Sequence, residues 1–461
     1  MTSPHASYVP MPARPSRTAA AVTLGFAAVV AMWVVWFLLN LPVVNLAPAV
    51  SGPFILLVAF FVLLVGATRL PREDRLVAGV LAGLIAGLVN LLAFGAQIVT
   101  PTATGEAAPG VSGLKPGAGL IVLGFLAAMA ATGAVAGFGA RSMGGSRARR
   151  SPASWLESFA TVNVVAILPL IALGGLVTSA KAGFAVPDWP GTYGANMFLY
   201  PIALMSEPRI FLEHSHRLFG AMVGATTLVG FVFALCCAPK GWMKWWAFGL
   251  LVLVSAQGAA GGYWTQEKSR GFVIAHAMTA QIYFALTCAY AAAISERYAR
   301  WRTDTTAHAA APTPRTGIKV LLGLLIVQLA MGTMVRHPGV KSGNHALFTH
   351  MGLAMVVVLM AIIVGTQMMR LRKTPEHGKS LWWAGHHVVG AVGLQFILGW
   401  VAFIAWMGNK DAIAPTSDQL ATAAAIKPLD VLIRTAHQAN GALLLGSSAV
   451  MAVWGFVKRK A

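Results

Sequence analysis

Glu213-His214-Ser215-His216-Arg217 puts a carboxylate, two imidazoles and a guanidinium within about one turn at the head of an apolar run. Ionisable groups at the edge of a bilayer are costly and are kept there mainly for function. Imidazole is a metal ligand, and a carboxylate three residues earlier shares its helix face. Glu213 beside His216 therefore reads as an acid that positions or deprotonates something at a metal. The plainer alternative is a helix-start charge paired with Arg217 four residues on. Three more histidines, His276, His350 and His437, stand in similar places, each one to two turns inside the end of an apolar segment.

The elements that must position these groups are membrane helices. Hydrophobic residues make up 57% of the 461 and charged residues only 10%, with mean hydropathy +0.70. A soluble domain carries about 25% charged residues, so the expectation is an all-α polytopic membrane protein. About 12 spans can be marked, at 20–43, 53–68, 77–98, 117–139, 159–179, 210–236, 245–264, 272–294, 317–335, 346–369, 381–406 and 430–456. Each approaches the roughly 20 residues that a spanning helix needs, with 53–68 the shortest. The net charge of +20 invites a nucleic-acid reading, but its distribution excludes one. With the N-terminus inside, inner segments hold 23 Lys and Arg and outer segments hold 9. That is the positive-inside bias, and it places both termini in the cytoplasm. Cys236, Cys237 and Cys288 lie within spans or at their inner ends, which argues against a structural disulfide. Met1–Ala19 reads as a bacterial cytoplasmic tail in preference to a mitochondrial transit peptide.

Linkers divide the chain into three parts: a four-span module at 1–150, a four-helix bundle at 151–300 and a second at 301–461. The last two repeat one another. Gly174-Gly-Leu-Val177 answers to Gly332-Thr-Met-Val335, His216 to His350, Gln257…Gly261 to Gln395…Gly399, and Ala275-His276 to Ala436-His437. Four short motifs in one order indicate duplication, hence two pseudo-symmetric bundles plus four extra N-terminal helices. The spacing from His216 to His276 is 60 and from His350 to His437 is 87, the longer loop at 407–429 making most of the difference.

Two histidines per bundle, on its second and fourth helices, are arranged to ligate one haem iron from opposite faces. The plainer reading, a hydrogen bond to a neighbouring helix, weakens when four positions repeat. No carboxylate or thiolate cluster accompanies the pairs, so no dedicated zinc or copper site is expected. His386-His387 has no counterpart in the first repeat and reads as packing or water-bonded, His214 as a bystander, and Asp430 as an N-terminal helix charge. Leu347 stands where Glu213 does, so one bundle is equipped for chemistry and the other for holding a cofactor. The Pro-, Gly- and aromatic-rich loop at 180–208 carries Asp188 and Trp189 and reads as an ordered cap or an interfacial anchor.

Glu213-x-x-His216-Arg217, the run Gly174-Gly-Leu-Val-Thr-Ser179 through Pro187-Asp-Trp-Pro190, Ala275-His276 and the repeated unit resemble the haem A synthase family over residues 155–458. The resemblance implies a permanent haem b on the iron ligands His350 and His437, and substrate haem O near His216, His276 and Arg217. It also implies that Glu213 assists oxidation of the C8 methyl of haem O to an alcohol and then a gem-diol, which dehydrates to the formyl group of haem A. The expected setting is terminal oxidase assembly in a bacterial cytoplasmic membrane, with a haem O synthase and an electron donor as partners and no nucleic acid. Homo-oligomerisation is left open. Three features depart from the family. The first outer loop lacks the Cys pair of many members, His350 is followed by Met351 where His216 is followed by Arg217, and residues 1–150 exceed the family core. Two other classes compete: a dihaem b-type cytochrome for electron transfer and a haem carrier or transporter.

Overall fold

In hydrocarbon every backbone N–H and C=O must find an internal partner, so apolar runs of this length become helices. The structure, a computed structural model, describes residues 13–101, 111–303, 313–337, 343–373, 378–407 and 414–457. Among them eleven helices are long and apolar enough to cross a membrane. They are α1 (Ala13–Leu39), α2 (Pro48–Ala67), α3 (Arg75–Phe94), α4 (Ala118–Ser142), α5 (Pro152–Ser179), α6 (Pro208–Cys237), α7 (Gly241–Glu267), α8 (Arg270–Ile294), α10 (Arg315–Arg336), α11 (Gly343–Arg370) and α12 (Gly378–Met407), with a short amphipathic α9 (Glu296–Thr303) between the bundles. The twelfth expected span is α13 (Pro428–Gly455), equal to the others in length but more polar. Asp430, Arg434, His437, Gln438 and Asn440 dilute its apolar run. The chain is an all-α polytopic membrane protein. Its strands among the described residues are a two-stranded hairpin, β1 (Val99–Pro101) with β2 (Val111–Leu114), between α3 and α4.

The helices α5, α6, α7 and α8 pack in a closed ring, and α10, α11, α12 and α13 form a second ring in the same order. The rings meet chiefly through α13, which lies against both α5 and α8. Gly175 makes that approach possible: a Cβ there would lie 2.8 Å from the Thr435 methyl. In the N-terminal module α3 and α4 are closer still. A Cβ on Gly79 would sit 2.3 Å from the Gly133 carbonyl oxygen, and one on Gly133 would sit 2.1 Å from that of Gly79. Small residues let bare helix backbones touch where no hydrophobic force drives association, which explains much of the glycine content.

The module docks on the first ring through α1. Phe37 stacks on Phe211 with ring centres 5.4 Å apart, and Trp33 meets Phe219 edge-on at 5.5 Å. Both partners are on α6, two residues before Glu213 and three after His216. Asn90 on α3 accepts from the Trp33 indole N–H at 2.8 Å, satisfying a donor that would otherwise be unpaired in the core. At the opposite end of the module Asp74, almost fully buried, binds Arg17 at 2.5 Å and Arg149 at 3.0 Å, tying α1 to the linker before α5.

Candidate functional site

The four repeated histidines fall at the ninth, seventh, eighth and tenth residues of α6, α8, α11 and α13. Each is therefore about two turns, or roughly 10–15 Å, inside its helix. The structure brings them together in two pairs. His216 and His276 have ring centres 6.3 Å apart with planes at 84°, and His350 and His437 are 6.4 Å apart at 83°. An imidazole–metal bond is about 2 Å. Two such bonds plus the ring radii span roughly 6 Å, so either pair can bracket one ion without moving its helices. Among the described residues no group of three or more His, Cys, Asp or Glu could hold a metal. Each pair would thus offer two imidazole donors to a metal group that brings its remaining ligands with it.

Every ring of the four lies on a glycine of the preceding helix in its bundle. A Cβ on Gly174 would come 3.2 Å from Cε1 of His216, on Gly261 2.9 Å from that of His276, on Gly332 3.0 Å from that of His350, and on Gly399 3.3 Å from that of His437. A methyl group would force the His276 ring to shift and press the other three by a few tenths of an ångström, so the glycines of the repeated motifs are ring seats.

One turn before the seat, three of the four helices carry glutamine. The backbone carbonyl of Gln257 lies 3.0 Å from Nδ1 of His276, while its side-chain amide donates to the His276 carbonyl at 2.7 Å. Gln328 makes the same reciprocal bridge to His350, at 3.2 and 3.0 Å. The Gln395 amide nitrogen lies 3.2 Å from Nδ1 of His437, and its oxygen accepts from Asn440 at 2.8 Å. Where Nδ1–H is given to a carbonyl, Nε2 is the nitrogen left for a metal, and the ring is held in orientation. His216 has no such partner. Leu170 occupies the corresponding place, and Nδ1 of His216 is buried without a hydrogen bond. The repeat as read from sequence includes Gln-x-x-x-Gly on the third helices only; Gln328…Gly332 carries the same spacing on α10 and is the signal that would have extended it.

Glu213 is buried and both its oxygens are engaged. Oε1 binds Arg217 at 2.7 Å, and Oε2 accepts from the Val186 backbone N–H at 2.9 Å. The pairing with Arg217 expected of a plain helix-start charge therefore does form within α6, and the bond from Val186 joins the helix to the loop above. Arg217 also donates to the carbonyls of Asp188 at 2.5 Å and Gly191 at 2.9 Å. The Asp188 carboxylate accepts from the Tyr193 and Gly194 backbone N–H groups at 2.7 and 2.9 Å, closing a tight loop in which Trp189-Pro190 is a cis bond. Trp189 lies over Gly262 of α7, where a Cβ would meet the indole at 2.4 Å, and its carbonyl accepts from Gln266 at 3.0 Å. The Tyr193 hydroxyl, pushed up to about 12 by burial and by the nearby Glu213 charge, stays protonated and donates to the Ala185 carbonyl at 2.6 Å. His214 is fully buried and meets Thr192 of the loop at 3.1 Å, so it anchors the cap. His386 packs on Trp382 with its Nδ1 3.0 Å from the Trp382 carbonyl, away from both pairs.

Fold and site together define a multi-pass membrane protein with two four-helix rings, each presenting one pair of facing histidines. Residues 157–340 match the COX15-CtaA family, described as cytochrome oxidase assembly protein, and are similar to the family that the sequence resembles. The match takes in His216, His276 and Glu213 and ends before His350, so the second pair rests on the internal repeat and its geometry. Neither a curated protein nor a solved structure matches the chain.

Proposed function

We propose that the protein is a haem A synthase, converting the C8 methyl of haem O to a formyl group by two successive oxidations and loss of water. The observation that carries this reading is the pair of facing imidazoles repeated in two bundles, of which only the first has a carboxylate one turn from a ligand. The donor set suits haem, which supplies its own equatorial nitrogens and the redox chemistry of its iron. His350 and His437, both backed by glutamine, would hold a permanent haem b. His216 and His276 would receive haem O, the unbraced His216 suiting a group that must enter and leave. Arg217 and Glu213 clamp the cap, which keeps bulk water from the bundle end. Oε2 of Glu213, one turn from His216, is the atom placed to take a proton once its bond to Val186 is released. In this reading haem O comes from a haem O synthase, and both termini face the cytoplasm of a bacterial cell. Each of the two oxidations consumes one dioxygen and two electrons from a separate donor, with the second oxygen atom leaving as water.

One observation favours the dihaem cytochrome instead: both oxygens of Glu213 are spent on holding the cap. Pigment extraction after expression with a haem O source separates the two. Haem A or its hydroxylated precursor is expected; haem b alone, under aerobic and reducing conditions, overturns the synthase reading.

A further inference from the structure

Between the two rings, at the end carrying the cap, lies a cavity of about 360 Å³. Its wall includes Lys181 after α5, Arg209 at the head of α6, and Lys427, Asp430 and Arg434 at the head of α13. Among the described lining residues Asp430 is the sole carboxylate against four cations. Glu207 offsets part of this by binding Arg209 at 3.2 Å from outside the lining. A further cation, Arg336, stands behind the wall and donates to Gly175 O at 2.8 Å and Ser179 Oγ at 2.6 Å.

The guanidinium groups are solvated mainly by carbonyls. Arg434 donates to Ser179 O and Arg209 to Ala424 O, each at 2.5 Å. Carbonyl dipoles fill hydrogen-bond directions but bring no counter-charge. The Nε–H groups of Arg209, Arg336 and Arg434 are buried with no partner at all. Lys181 is held below its ordinary value by burial and by the charges of Arg434 and Arg336, so the cations strain against one another. Arg209 is buried, Lys181 and Arg434 are half-buried, and Glu207 and Asp430 offset part of their charge. Partly buried charge in which one sign remains in excess favours binding of a counter-ion.

We propose that this cavity is a binding site for the oxyanion head of a membrane amphiphile, phosphate or carboxylate. Guanidinium forks match both geometries, and the volume accommodates a head group in addition to its charge. Residues at the head of α13 line the cavity, and a phospholipid can supply a phosphate. Arg434 is also one turn before His437, so the acid side chains of a haem held in the second bundle could supply carboxylates.

The test uses the full chain in neutral detergent, with phosphatidylglycerol and phosphatidylcholine as probes and native mass spectrometry as readout. The variants are Lys181→Gln/Arg434→Gln, and Arg209→Gln as a second version. Phosphatidylglycerol should bind about tenfold more weakly to either variant, with phosphatidylcholine unchanged. If haem b loading leaves that binding intact, the lipid is the occupant. If loading displaces phosphatidylglycerol, or the variants release haem b faster, the carboxylates are. Equal lipid binding by wild type and both variants, together with equal haem release, overturns the proposal.

Discussion

The two bundles use one design and differ at two places. Both seat a pair of imidazoles on glycine at 6.3 and 6.4 Å. The second backs both rings with glutamine and has Leu347 one turn before His350. The first leaves His216 without a partner on Nδ1 and places a buried Glu213 one turn before it. A bundle that holds a group permanently gains from ligands fixed in advance, because the ordering cost is met on folding. A bundle that must admit and release its group gains from one ligand that is less constrained. On the proposed function, the difference between holding and processing rests on two residues, Leu170 and Glu213.

Removing Glu213 should break the comparison most severely. Glu213→Gln keeps a group able to accept from Val186 but removes the base, and conversion of haem O should fall by about 10²- to 10⁴-fold. Haem b content, read from the reduced spectrum of the purified protein, should stay unchanged. A parallel loss of both would mean that Glu213 only holds the cap.

Leu170→Gln should make the bundles more alike. With the Gln-x-x-x-Gly element completed at 170–174, haem should leave the first bundle about tenfold more slowly, as expected for a restored outer-shell partner. Transfer to apomyoglobin, followed by absorbance, measures the rate. The second bundle should release its haem at the wild-type rate, and an unchanged first-bundle rate would count against glutamine as the bracing element.

The smallest expected effect concerns the support behind α6. Asn90→Ala leaves the Trp33 indole N–H unpaired in a buried setting, at a cost of about 1–3 kcal/mol. The thermal midpoint in detergent should fall, and conversion should weaken more than haem b retention because Trp33 packs on α6 of the first bundle. Equal loss of both would make the N-terminal module a general scaffold with no preference for the first bundle.

Helix periodicity and charge asymmetry make the spans and the pairing of the four histidines legible from residue type and repeat alone. Hydrophobic runs determine membrane helices, and duplication places equivalent residues at equivalent depths. What sequence leaves open is local. α13 is a full-length helix whose polar residues face the second histidine pair and the α5 junction, so its apolar signal is weaker than that of the other eleven helices. Glu213 can be read as an acid or as the partner of Arg217, and the choice of contacts depends on where Val186 and the cap fold back. His214 reads as idle because its partner, Thr192, is 22 residues away in a loop without periodicity. The docking of α1 on α6 uses Trp33 and Phe37, whose neighbours lie in a different part of the chain and carry no pattern in common with them.

The division of labour between the bundles is tested most directly by pigment extraction from His276→Ala and His437→Ala, prepared side by side with a haem O source. His276→Ala should retain haem b and yield no haem A, whereas His437→Ala should lose haem b. Loss of the same pigment from both variants would contradict two sites with separate tasks.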